Sequence, residues 1–186
     1  MDRPPPDEEL LAESIREPDR FGPLFDRHAT DIHRYLARRV GSVADDLLSE
    51  TFLAAFRKRS AYRNVGAGVR PWLFGIATNL ARQHTRAEVR RYRALARMPV
   101  EPSVDEDHTA RLDAQALRSS LAAALAELRP GDRDVLLLFA WAELTYAEIA
   151  AVMGVPVGTV RSRINRARRL TRTALAPVVE LSEELS

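Results

Sequence analysis

The sequence predicts an all-α protein: two small helical domains joined by a flexible acidic linker, the second containing a helix-turn-helix. Three observations carry this expectation. Apolar residues recur at helical spacing through nearly all of the 186 residues, with no strand-like alternation and no solenoid repeat. Residues 98–110 (MPVEPSVDEDHTA) hold two prolines and four acids and lack any period, which suits a linker. The net charge of +2 also resolves into blocks of −4 over 1–20, +9 over 21–100, −4 over 101–134 and +1 over 135–186. Two polyanion-facing modules separated by a non-binding segment carry charge in this way, as does a solvated charged surface.

The elements follow in order. Residues 1–20 read as an acidic N-terminal extension, solvated by default. Leu24, Phe25, Ile32, Leu36 and Val40 define an amphipathic helix over 21–40, punctuated by Gly41 and Ser42. A second helix, from about 43 to 60, carries Leu47, Leu48, Phe52, Ala55 and Phe56 on one side. The stretch 62–70 holds two glycines and an asparagine and reads as a loop. Pro71 suits the first turn of a third helix bearing Trp72, Leu73, Ile76, Ala77 and Leu80, expected to run on into the arginine-rich stretch 82–97. Beyond the linker, helices are expected over 111–127, 130–142, 146–153 and 157 to about 176. A loose acidic tail, 177–186, closes the chain.

The sharpest local signal is LTYAEIAAVMGVPVGTVRSRINRARR, Leu144 to Arg169. Thr145 and Glu148 have the spacing of a capping box, in which each side chain satisfies an orphan backbone donor. Gly154 stands where one helix stops and the chain turns sharply, and Pro156 opens the next helix. This is the helix-turn-helix layout. In the second helix Val160, Ile164 and Ala167 fall on the core side, leaving Arg161, Ser162, Asn165, Arg166, Arg168 and Arg169 outside. Arginine can grip guanine O6 and N7, asparagine can pair with adenine, and serine suits base or phosphate. Ordinary exposed helices interleave acids, and residues 154–176 have six arginines and no acid.

Other functions find little support. The chain has no cysteine, so disulfide scaffolds, thiolate metal sites and cysteine nucleophiles are excluded. The acidic, proline-rich N-terminus is the reverse of a signal peptide, no apolar run approaches a membrane span, and a cytoplasmic protein is expected. His28, His33, His84 and His108 are scattered, adjacent carboxylate pairs diverge, and there is no P-loop or dinucleotide turn, so an enzyme is not expected. Neither a metal nor a small-molecule cofactor is implied.

Three segments together, VADDLLSETFLAAFRK, RPWLFGIATNLARQHTR and the Leu144–Arg169 motif, closely resemble the extracytoplasmic-function (ECF) group of bacterial RNA polymerase sigma factors. The resemblance spans about Phe21 to Leu175, with all three motifs in the family's order. It implies a region 2 domain over 21–97 that binds the β′ clamp helices of core RNA polymerase and opens the −10 element. It also implies a region 4 domain over 111–176 that binds the β flap and reads the −35 element of promoter DNA. The linker would thread the polymerase near its RNA path, and an anti-sigma factor is a common further partner.

Residue by residue, Asp46, Leu47, Leu48, Glu50 and Phe52 match the family's polymerase-clamp segment, with Ser49 in place of the usual glutamine. Leu47, Leu48 and Phe52 equally suit plain core packing. Asn79 matches the asparagine facing the melted strand, with Arg82 and Arg86 expected along the same helical face. Tyr62 and Arg63 flank the loop that captures a flipped −10 base, while Trp72 reads as core rather than as a stacking platform. Thr159, Arg161, Ser162, Arg163, Asn165, Arg166 and Arg168 match the −35 set, although Arg163 also suits an internal brace. Two other readings remain: a dimeric helix-turn-helix regulator, which would not explain the first two motifs, and a protein-binding adaptor, which the acid-free helix argues against.

Overall fold

The computed structural model describes the backbone of residues 4–64, 66–97 and 108–184, and the side chains of 4–64, 66–97 and 114–176. The helices are α1 (Asp7–Glu13), α2 (Gly22–Val40), α3 (Ala44–Lys58), α4 (Val69–Gln83), α5 (Thr85–Ala96), α6 (His108–Glu127), α7 (Pro130–Ala140), α8 (Tyr146–Met153) and α9 (Val157–Glu184). Among the described residues there is no strand, as expected of an all-α chain. The chain divides into two compact units, one formed by 1–84 with 137–161 and the other by 85–136 with 162–186.

In the first unit, α2, α3 and α4 bury their apolar stripes against one another. Leu24, Ile32, Leu36, Leu47, Ala55, Leu73, Phe74 and Ala77 form the core. A polar thread crosses it: the Arg39 guanidinium donates to Tyr35 Oη at 2.8 Å, and that hydroxyl lies 2.8 Å from Thr78 Oγ1. Arg39 is fully buried, and these bonds offset part of its desolvation.

Three expectations change here. The N-terminal segment is not a solvated extension: α1 buries Leu10 and Leu11 and packs on α2 and α4. Asp7 anchors it, its carboxylate 2.7 Å from Arg27 Nη1 and 2.6 Å from His28 Nε2, and Arg27 also donates to the Pro5 carbonyl. The third helix does not run on to 97. It stops at His84, whose φ of −98° and ψ of 16° leave the helical region, and α5 starts anew at Thr85. The tail also differs, for α9 continues as helix to Glu184 where a loose tail beyond 176 was expected.

Residues 137–161 complete this unit. The first helix and turn of the helix-turn-helix form as the sequence requires: Thr145 and Glu148 make the reciprocal capping box, and Gly154 takes the left-handed conformation at φ 63°, ψ 37°. The Val155 amide closes the turn on the Ala150 carbonyl at 3.1 Å. Helix α8 packs closely on α4, where a Cβ at Gly75 would stand 3.1 Å from Val152 Cβ. Nearby, Arg70 donates to the Ala142 carbonyl at 2.9 Å and Arg38 lies over the Trp141 ring.

In the second unit α5 packs along α6, burying Tyr92 and Glu88. Arg133 of α7 organises the unit. Its guanidinium donates to the carbonyls of Leu125, Ala126 and Leu128 at 2.8, 3.2 and 2.9 Å and lies 3.4 Å from the Glu88 carboxylate. A helix leaves its last carbonyls without intrahelical donors, and this buried cation satisfies them at the end of α6. Residues 98–107 of the expected linker lie outside the described residues, and 108–110 begin α6.

Candidate nucleic-acid and polymerase interfaces

Helix α9 carries the first candidate surface. Val160, Ile164 and Ala167 are fully buried, so the i, i+4, i+7 stripe fixes which side faces inward. On the other side Arg161, Ser162, Asn165 and Arg168 are exposed, and Thr159 is half-buried. Ser162, Asn165, Arg166 and Arg169 rim one shallow open hollow. Arg169, expected on the outer face but outside the −35 set, belongs to this group, its spacing of seven from Ser162 putting both on one side of the helix. Arg163 is drawn back, its guanidinium 3.2–3.8 Å from where a Gly131 side chain would begin. This placement suits an internal brace. Arg166 is intermediate in exposure, with Nε 3.0 Å from an Asp132 carboxylate oxygen.

The second candidate is a cavity of about 220 Å³ lined by Lys58, Tyr62, Arg63, Ala67, Gly68, Trp72, Gly75, Ile76 and Asn79, with Ala151 and Val152 of α8. The loop before α4 shapes it through Gly66 and Gly68, whose φ values of 86° and 83° an L side chain would resist. Asn64 closes the loop by accepting the Gly66 amide at 2.9 Å. Trp72 is half-buried rather than core, its ring 5.0 Å from that of Tyr62. This tilted aromatic pair offers a stacking surface of the sort that holds an extruded base. The Tyr62 hydroxyl is buried with no hydrogen-bond partner. Burial first, then the nearby carboxylates of Glu8 and Asp7, push its pKa up, so it stays a neutral donor. Arg63 is exposed, its Nη1 donating to the carbonyls of Ser60 and Tyr62.

Asn79 and Arg82 share an exposed face of α4 and are joined, Arg82 Nη1 donating to Asn79 Oδ1 at 3.2 Å. Arg82 also reaches Met153 Sδ at 3.4 Å. Arg86 does not continue this face as expected, because the break at His84 places it on α5. It is exposed there.

The third candidate lies on α3. Asp46 and Glu50 are exposed on one face, as their spacing of four requires, while Leu48 is half-buried. Leu47 and Phe52 point inward and belong to the core, which removes them from a direct contact role. Phe52 packs edge-on against Phe25 and Phe21. Leu53, missed in the sequence, is 48% exposed one turn beyond Ser49 and Glu50 and gives this acidic face an apolar end. Among the described residues, no group of three or more acids and histidines is placed to hold a metal ion, and no helix is long and apolar enough to cross a membrane.

A helix-turn-helix whose second helix opens with six arginines and no acid up to residue 176, in a chain that also carries an aromatic-lined loop cavity, points to a DNA-binding transcription protein. The comparisons make this specific. Residues 24–91 match sigma-70 region 2 and residues 118–170 match sigma-70 region 4. The chain is 36% identical to the RNA polymerase sigma factor CarQ of Myxococcus xanthus over 163 residues, covering 84% of this chain and 90% of that protein. It is 37% identical to the ECF sigma factor SigC of Mycobacterium tuberculosis over 140 residues, 74% of each. Among solved structures it resembles CnrH, determined in complex with the cytosolic domain of CnrY, with a TM-score of 0.68 and 27% identity over 92% of this chain and 97% of that one. The chain belongs to the ECF group of the sigma-70 family of RNA polymerase sigma factors. It acts with core RNA polymerase in promoter recognition and transcription initiation.

Proposed function

We propose that the chain divides its work between a region 2 domain over 21–97, which binds the polymerase clamp and the −10 element, and a region 4 domain over 111–176, which reads the −35 element. The linker 98–110 spans the two, flanked by residues 1–20 and the tail 177–186. The observation that carries this reading is the acid-free stripe of exposed Ser162, Asn165 and Arg169 with half-buried Arg166 that follows the Gly154 turn. Asn165 and Arg166 read base edges, while Thr159, Arg161, Ser162, Arg168 and Arg169 engage phosphates and neighbouring edges.

At the −10 element an extruded base enters the cavity between Tyr62 and Trp72, with Asn79 and Arg82 along the unpaired strand and Arg86 and Arg63 supplying charge. Asp46 and Glu50, extended by Leu53, meet basic and apolar groups on the clamp. The protein acts in the cytoplasm as a specificity subunit, with the chemistry left to the polymerase. An anti-sigma factor is a further partner, a reading supported by the capture of CnrH with CnrY.

Changing each base pair of a −35 duplex in turn tests this. Arg166→Ala should weaken binding by about 1–3 kcal/mol, mainly at one base pair. An equal loss on promoter and random DNA would remove the base-reading role.

A further inference from the structure

We infer that Asp132 is a positioning residue for promoter reading: its buried carboxylate holds Arg166 so that the far end of the guanidinium faces a base edge. The inference rests on the reading of Arg166 as a base-contacting side chain. Asp132 lies in the first turn of α7 with its side chain 5% exposed, whereas that of Arg166 is 38% exposed. Asp132 Oδ2 and Arg166 Nε stand 3.0 Å apart, both atoms are buried, and neither has an aligned hydrogen bond. The two therefore meet as charges, each compensating the other's removal from water.

The surroundings explain why an acid belongs here. The N-terminal turn of a helix carries partial positive charge and repels cations. Two α9 arginines nevertheless lie against this turn of α7, Arg163 over Gly131 and Arg166 beside Asp132. Asp132 reverses the local sign, and the bare Gly131 leaves room for the Arg163 guanidinium. Arg166 is held through Nε alone, so its two terminal nitrogens remain for the paired acceptors of a guanine. A side chain already held in place loses less freedom on meeting its base, and its discrimination between bases sharpens.

The test uses holoenzyme assembled from the full chain and purified core polymerase, on a −35 duplex that the wild type selects from a randomised pool. Asp132→Asn keeps the shape and one acceptor oxygen, replaces the other with a donating amide and removes the charge. It should reduce discrimination about tenfold at the base pair that Arg166→Ala affects, and at no other. The double variant should lose no more than Arg166→Ala alone. Full discrimination in Asp132→Asn overturns the inference while leaving the role of Arg166 intact. Unaltered discrimination in Arg166→Ala removes the base-reading role itself, and the inference with it. A second measurement needs no variant: solvent exchange of the Arg166 Nε proton in the wild-type chain should be slower than at Arg161 and Arg169, and equal rates overturn the inference.

Discussion

Arg133→Ala should destabilise the protein by about 3–5 kcal/mol, the range for breaking a buried ion pair from one side. Arg133 is 2% exposed and its partner Glu88 is 1% exposed. Truncation leaves the Glu88 carboxylate buried without its guanidinium. About 3 kcal/mol of that loss comes from the three carbonyls at the end of α6 that lose their donor, at about 1 kcal/mol each. Against a total stability of about 5–15 kcal/mol this is a large fraction. With a urea slope of about 2 kcal/mol per molar, the unfolding midpoint should fall by about 2 M. Urea titration followed by helical circular dichroism reads the shift. Adding Glu88→Gln to Arg133→Ala should recover about 1–2 kcal/mol, because the buried negative charge is gone while the carbonyls stay orphaned. A midpoint shift below about 0.5 M for Arg133→Ala would refute the reasoning about buried charge. So would a double variant no more stable than the single one.

Three further outcomes are expected. Burial disfavours ionised Asp7, but the hydrogen bonds to Arg27 and His28 outweigh it and hold its carboxyl below the ordinary 3.8. A depressed folded-state pKa stabilises above the ordinary value and is lost as the pH falls through the lower one. Asp7→Asn should therefore cost about 1 kcal/mol at pH 7 and flatten the decline in stability below about pH 4; an unchanged acid limb contradicts this. Gly75→Cys with Val152→Cys, in a chain with no native cysteine, sets two Cβ atoms 3.1 Å apart, so a parting of α4 and α8 by about 0.5 Å should admit a disulfide that keeps α8 against the Tyr62–Trp72 cavity. Because Ala151 and Val152 of α8 line that cavity, admitting a base there should require α8 to part from α4. The oxidised form should therefore lose binding of a single-stranded −10 oligonucleotide and dithiothreitol should restore it, whereas binding retained under oxidation contradicts this. Asp46→Arg with Glu50→Arg should weaken capture of core polymerase by about tenfold or more, and undiminished capture removes the clamp assignment.

The parts of the structure that depend on neighbouring residues were legible in the sequence. The bounds of α8 follow from Thr145, Glu148 and Gly154, and the buried Val160, Ile164 and Ala167 follow from helical spacing alone. What stayed hidden depends on contacts distant in sequence. Leu10 and Leu11 stand among acids and prolines with no readable period, and α1 docks because Asp7 finds Arg27 and His28 some twenty residues away. The break at His84 has no glycine or proline to announce it, so Arg86 looked like a continuation of the Asn79 face. On α3 the apolar period is clear, but it does not say whether an exposed leucine waits for a partner. Leu47 and Phe52 turned inward and Leu53 outward. A charged residue such as Arg133 reads as surface until the carbonyls it serves are seen.

Transcription in vitro, with purified core polymerase and the full chain on a promoter selected by the wild type, tests most directly whether these surfaces work as one promoter-specificity device. Core enzyme with the chain should give a transcript with a defined start where core alone gives none. Asn79→Ala should reduce that transcript on duplex promoter, with partial recovery on a template whose −10 region is already unpaired. No start-specific transcript, or tight binding of duplex DNA by a dimer of the chain in the absence of polymerase, would contradict it.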